Sequence, residues 1–82
     1  MESSHFLQTA VAFGYFSFQH GRLEDAERMY NRALAGYEKA LGPEHTSTLR
    51  TVNNMGILYE HQGRLKDAER MFNREMAGKR KV

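Results

Sequence analysis

The sequence predicts an all-α protein built from two antiparallel helical hairpins, and two observations support this. Residues 21–36 (GRLEDAERMYNRALAG) recur as residues 63–78 (GRLKDAERMFNREMAG), with 12 of 16 positions identical at an offset of 42. Apolar residues also recur at three- and four-residue spacing, which indicates amphipathic helices. A repeat of this length is typical of stacked helical units, in which each unit covers the apolar face of its neighbour.

Four helices are expected, separated by turns that contain glycine. Their predicted bounds are residues 5–20, about 23–41, about 46–62, and from 65 past 76. Gly21 and Gly63 end the first and third helices, because glycine best tolerates a left-handed backbone, and Gly42 with Pro43 ends the second. Short turns between helices force neighbours to run antiparallel, so each unit is a helical hairpin.

The apolar spacing also predicts which side chains are buried and which residues cap the helices. The expected buried faces are Leu7, Ala10, Phe13 and either Phe16 or Ser17 in the first helix; Leu23, Ala26, Met29, Tyr30, Ala33, Leu34, Tyr37 and Leu41 in the second; and Leu49, Val52, Met55, Leu58 and Tyr59 in the third. Side-chain oxygens favour helix starts, so the expected N-caps are Ser3 or Ser4 for the first helix and Thr46, Ser47 or Thr48 for the third.

Composition argues against several classes of protein. The chain has no cysteine, which excludes disulfide bonds and thiolate metal sites. Residues 1–78 hold nine basic and ten acidic side chains, so the excess positive charge lies in Lys79, Arg80 and Lys81. A nucleic-acid domain would spread its basic residues along one face. The apolar run over residues 6–18 is too short for a membrane span, and a soluble, cytoplasmic protein without nucleic-acid or membrane partners is expected.

The second half of the chain carries a known pattern. Val52-x-x-Met55-Gly56-x-x-Tyr59 followed by Ala68-x-x-x-Phe72 resembles the tetratricopeptide repeat, and the first half keeps Gly14 and Ala26-x-x-x-Tyr30. The 42-residue period and the loop at residues 41–46 are similar to the kinesin light chain type of this repeat. The resemblance implies a fragment of a right-handed α-solenoid. The predicted organisation is a single domain over residues 1–82, with repeat one at about 4–41, a linker at 42–45 and repeat two at about 46–82.

The resemblance also assigns roles to residues. Small residues lie where two helices approach closely and aromatic residues fill the adjoining gaps; these packing positions are Gly14, Ala26, Tyr30, Gly56, Tyr59, Ala68 and Phe72. In this family the first helix of each hairpin lines a concave groove that holds peptides. Carried over by position, the groove residues are Arg50, Asn53, Asn54, Ile57, Glu60 and His61 in the second unit, and Gln8, Val11, Tyr15, Phe18 and Gln19 in the first.

Two features allow more than one interpretation. Asn54 matches an asparagine that bonds peptide backbone or a terminal carboxylate in related repeats, but its amide could instead bond only the neighbouring helix. The aromatic run at residues 13–18 could hold a hydrophobic peptide or a cofactor, and core packing, with one face left uncovered, is favoured. The uncovered face of the first or fourth helix could then pair with another copy, because several large apolar side chains would otherwise remain in water.

No arrangement of residues suggests catalysis, a cofactor or a small-molecule substrate. The four histidines (His5, His20, His45 and His61) lack metal-ligand spacing, and no serine, histidine and aspartate form a nucleophilic arrangement. The predicted function is therefore a non-catalytic scaffold that binds a protein or peptide partner. The alternative is a self-association or domain-swapped oligomerisation unit of a larger array. Two repeats are also fewer than the three or so that a stable stack usually needs.

Overall fold

The structure, a computed structural model, describes residues 4–80 and contains four helices connected by short turns. They are α1 (Ser4–Gln19), α2 (Leu23–Leu41), α3 (Thr46–His61) and α4 (Leu65–Arg80). Within this range there is no β-strand, which confirms the all-α prediction. We call α1 with α2 hairpin 1 and α3 with α4 hairpin 2. The second helix of hairpin 1 packs against the first helix of hairpin 2, so the two hairpins form a stack.

The turns inside the two hairpins have the same geometry. Gly21 and Gly63 have φ angles of 75° and 77°, in the left-handed region that favours glycine. In each turn the next residue closes the helix end: the Arg22 backbone N–H donates to the Ser17 carbonyl, and the Arg64 N–H donates to the Tyr59 carbonyl, both at 2.8 Å. This pattern satisfies carbonyls that would otherwise lack a partner at a helix end. The repeated Gly-Arg dipeptide thus produces the same turn twice.

The predicted N-cap of the third helix is wrong. Instead of Thr46, Ser47 or Thr48, the capping residue is His45, whose Nδ1 accepts a hydrogen bond of 3.0 Å from the Ser47 backbone N–H. The Thr48 hydroxyl donates to the Gly42 carbonyl at 2.8 Å and is therefore engaged in closing the linker. For the first helix, Ser4 is already helical, and Ser3 lies outside the described residues.

One hydrophobic cluster joins both hairpins. Its buried members come from three helices: Ala26, Tyr30 and Leu34 from α2; Val52, Met55, Leu58 and Tyr59 from α3; and Ala68 from α4. A second, smaller cluster lies within hairpin 1 and contains Leu7, Ala10, Ala33 and Tyr37. The larger core is therefore shared between the two repeats, because α2 contributes to the same cluster as α3 and α4.

The predicted buried faces differ in accuracy between helices. All five side chains predicted for α3 are buried, which confirms that face. In α1 the buried line runs through Leu7, Ala10 and Ser17, whereas Phe13 and Phe16 are exposed, contrary to the prediction for Phe13. The described neighbours of α1 are α2 and α3, and neither phenylalanine belongs to the hydrophobic clusters that these helices share. Leu41 is also exposed, because it is the last residue of α2, just before the chain turns at Gly42.

Candidate functional site

A glycine in the first helix of each hairpin faces an aromatic ring in the second helix. A Cβ atom at Gly14 would lie 2.7 Å from Cε1 of Tyr30, and one at Gly56 would lie 2.6 Å from Cε1 of Phe72. These distances are too short for a real side chain, so only glycine allows the helices to approach this closely. The two contacts are related by the 42-residue offset. They hold α1 and α3 in equivalent positions, side by side along one face of the stack.

A cavity of about 290 Å³ lies between α1 and α3. It is open to solvent along the face formed by the first helix of each hairpin. The side chains that line it come from three helices: Gln8, Val11, Ala12 and Tyr15 from α1; Tyr37 from α2; and Ser47, Arg50, Thr51 and Asn54 from α3. We call this cavity the groove. Its wall combines aromatic rings with amide, hydroxyl and guanidinium groups, which can hydrogen-bond to a peptide.

Arg50 is the single charged side chain that lines the groove. It is exposed, and the described part of the chain provides no ion pair for it. Burial raises the pKa of Tyr37, and the nearby Arg50 guanidinium opposes part of that rise. Because the groove lining contains no carboxylate, its one charge is the positive charge of Arg50, beside the phenol of Tyr37. Such a site favours an acidic group over a basic one.

Five of the eleven residues predicted for the groove line this cavity: Gln8, Val11, Tyr15, Arg50 and Asn54. Asn53 instead donates from Nδ2 to Oε1 of Glu75 on α4 at 2.9 Å. The asparagine that bonds the neighbouring helix is therefore Asn53, whereas the sequence suggested this role for Asn54.

The other predicted groove residues lie outside the cavity. Phe18 and His61 meet edge to face, with ring centroids 4.8 Å apart, and so connect the C-terminal ends of α1 and α3. The ring of Tyr15 lies 6.4 Å from that of Phe18 and continues this aromatic line into the groove. Gln19, Ile57 and Glu60 do not line the groove.

A family model described as tetratricopeptide repeat matches residues 6–81. The chain belongs to the tetratricopeptide repeat family. This family generally provides protein–protein interaction modules, and its repeats are typically non-catalytic scaffolds. No curated protein matches the chain.

Some groove residues of this tetratricopeptide repeat protein were not identified from its sequence. The sequence predicts Tyr37 only as a buried residue of α2 and Ser47 only as a candidate helix cap, whereas both line the groove. For Ser47, helical spacing in the sequence is the signal that could have identified it as a groove residue. Ser47 precedes Arg50 by three residues and Thr51 by four, so all three lie on one face of α3.

Three of the four histidines of this tetratricopeptide repeat protein have identified structural contacts. The ring of His20 bonds the Phe16 carbonyl at 2.9 Å, His45 caps α3, and His61 contacts Phe18. Over residues 4–80, no group of three or more His, Cys, Asp or Glu side chains could hold a metal ion. In the same range, no helix is both long and apolar enough to cross a membrane.

Proposed function

We propose that this chain is a non-catalytic scaffold that binds a peptide segment of a partner protein in the groove between α1 and α3. The observation that carries the proposal is the groove itself, whose lining combines apolar and aromatic side chains with Arg50 and with amide and hydroxyl groups. Membership in a family of protein-interaction modules supports it. The 42-residue period and the loop at residues 41–46 further support a place among repeats of the kinesin light chain type.

Three side chains provide the proposed recognition. Asn54 offers both a donor and an acceptor, which suits a peptide backbone. Arg50 offers a fork of N–H groups that suits a carboxylate, either an acidic side chain or a C-terminus. Tyr15 is half exposed and presents an aromatic surface for an apolar side chain. The groove therefore selects an extended peptide that combines an acidic group with a neighbouring apolar residue.

Selection from a random-peptide phage library on the immobilised full chain tests this proposal. Synthetic versions of the selected peptides would then be titrated by fluorescence anisotropy against Asn54→Ala and Arg50→Ala. The matched controls are Asn73→Ala and Arg70→Ala, which remove the same groups from exposed positions on α4, away from the groove. Circular dichroism would verify that each variant keeps its helix content.

The proposal expects selected peptides to be enriched in acidic residues and to bind the chain in a salt-sensitive manner. Loss of a charge-assisted hydrogen bond should weaken binding by about tenfold or more for Arg50→Ala, with a comparable or smaller loss for Asn54→Ala. The controls should bind like the wild type. Equal binding by all four variants, or the absence of any enriched peptide, would contradict the proposal.

A further inference from the structure

The first end of the stack exposes an apolar surface on α1 that has a buried counterpart inside the molecule. Phe6, Phe13 and Phe16 are 43%, 58% and 56% exposed. The residues 42 positions later on α3 are Thr48, Met55 and Leu58, and these are 0%, 1% and 0% exposed. The Met55 and Leu58 side chains share a cluster with Tyr30 and Leu34 of α2. We call the surface formed by Phe6, Phe13 and Phe16 the head face.

The second end of the stack exposes the counterpart of the helix face that covers α3. On α2, Leu34 is 9% exposed, and Leu23 packs against the shared cluster. Their equivalents on α4 are Met76, which is 56% exposed, and Leu65, which is 67% exposed. We call the surface formed by Leu65, Glu69 and Met76 the tail face. Its apolar residues, Leu65 and Met76, correspond to Leu23 and Leu34 on the side of α2 that packs on hairpin 2.

The charges at the two ends repeat the internal ion pair between the hairpins. Inside the molecule, Nη1 of Arg64 lies 3.0 Å from Oε1 of Glu27 and so links hairpin 2 to hairpin 1. The equivalent residues are Arg22, next to the head face, and Glu69, on the tail face. Both are exposed, and neither has an ion pair within residues 4–80. Each end thus carries one half of an ion pair that is complete between the hairpins.

We propose that a second copy of this chain docks its tail face on the head face of the first, repeating the α2–α3 interface between molecules. The contact joins two different surfaces, so it does not close into a symmetric dimer and can continue into longer chains of copies. Docking would cover Phe13 and Phe16, whose equivalents Met55 and Leu58 pack with α2, and would pair Arg22 with Glu69 of the next copy. The groove lies on a different face, between α1 and α3, so this proposal and the proposed peptide binding stand or fall separately.

One charge at this junction is unfavourable and provides a sharper test. Arg74 on α4 forms an ion pair with Glu38 on α2, which is the second link between the hairpins. The equivalent positions are Arg32, which lies 5.1 Å over the Phe6 ring, and Arg80. Two arginines would therefore face each other across the junction. Arg80→Glu restores the charge found at Glu38 and should tighten the association between copies.

Light scattering and sedimentation velocity on the full chain, over a range of concentrations, test this proposal. Arg22→Glu and Glu69→Arg each place like charges at the junction. In an equimolar mixture the two variants can alternate along a chain of copies. Every junction between unlike variants then has opposite charges at positions 22 and 69. Lys66→Glu and Glu24→Lys serve as controls, because they change the net charge equally and each introduces the residue that the other repeat already has at that position.

The proposal expects the wild-type mass to rise with concentration beyond that of a dimer. Each single variant should associate about tenfold more weakly, whereas their mixture and both controls should associate like the wild type. A wild-type mass that stays monomeric, or that stops at a dimer, would overturn the proposal. So would a mixture that associates no better than its components, provided that circular dichroism shows all variants to be folded.

Discussion

The same glycine–aromatic contact occurs in both hairpins, but the two aromatic rings differ in their freedom to move. Tyr30 is almost fully buried, whereas Phe72 is only partly buried. A methyl group at Gly14 or Gly56 would press on the respective ring. The buried ring of Tyr30 cannot move away without disturbing the shared core, whereas Phe72 can rotate towards solvent.

Gly14→Ala should therefore destabilise the protein more than Gly56→Ala. Overpacking at Gly14 should cost about 1–3 kcal/mol in the free energy of unfolding. The better helix propensity of alanine, worth about 1 kcal/mol, applies at both sites, but it offsets more of the loss at Gly56, where the strain is smaller. Urea denaturation followed by circular dichroism measures both. Equal losses at the two sites would contradict this account of ring mobility.

Burial of Tyr30 makes stability depend on alkaline pH. Burial, with a smaller contribution from Tyr15, raises the pKa of Tyr30 from 10.0 to about 12. The unfolded chain then loses this proton at a lower pH than the folded chain does. The contribution of Tyr30 to the free energy of unfolding is complete below about pH 10 and is lost as pH rises towards 12.

Tyr30→Phe should reduce this loss, because phenylalanine carries no proton to release and already occupies the equivalent position 72. Urea denaturation at several pH values between 9 and 12 measures the slope of the free energy of unfolding against pH. The slope of the variant should be shallower by part of the roughly 1.4 kcal/mol per pH unit that one proton contributes. The burial of Tyr37 and Tyr59 also raises their pKa values, so a smaller slope should remain. Identical slopes for variant and wild type would contradict the assignment.

At the level of helices, the sequence pattern predicted burial well only where the neighbouring helices are inside the molecule. The apolar face of α3 was predicted correctly because α2 and α4 cover it. In α1 the same spacing also marks Phe13 and Phe16, which lie on a side that no described helix covers. Periodicity identifies the apolar face of a helix, but it does not reveal whether a neighbour is present to bury it.

The start of α3 depends on an unusual capping residue. Ser, Thr, Asp and Asn favour this position, and three such candidates follow within the next residues, so His45 could not be chosen from the sequence. Its ring nitrogen accepts the bond from the Ser47 N–H because the β-region backbone at His45 directs the side chain towards the first turn.

His45→Ala should lower the free energy of unfolding by about 0.5–2 kcal/mol, because it leaves a backbone N–H of the first turn without its side-chain acceptor. His45→Ser is the matched variant, since a hydroxyl oxygen can accept the same bond. Thermal denaturation of the two variants measures the difference. Loss of equal size in both would show that the ring of His45 stabilises the protein by packing, and the capping role would then be wrong.

For the whole molecule, the duplication in the sequence predicted the stack, whereas only part of the groove could be derived from it. The family resemblance predicted Tyr15, Arg50 and Asn54 as groove residues, and all three line the cavity between α1 and α3. It also grouped Asn53 with them, but Asn53 bonds Glu75, whereas Val11, at the equivalent position of the first repeat, packs against both hydrophobic clusters. The equivalents of Asn53 and Glu75 in the first repeat are the apolar residues Val11 and Ala33, so the hydrogen bond between Asn53 and Glu75 has no counterpart there, and only the structure shows that Asn53 and Glu75 are bonded.

The central claim is that the face between α1 and α3 binds a peptide while the rest of the stack is a scaffold. Its most direct test is a two-dimensional ¹H–¹⁵N NMR titration of the labelled chain with a peptide selected as described above. Shifts should concentrate at residues that line the groove, including Gln8, Tyr15, Arg50 and Asn54, with little change at Glu24 or Asn73. Shifts confined to the outer faces of α2 and α4, or no shifts at saturating peptide, would contradict the account.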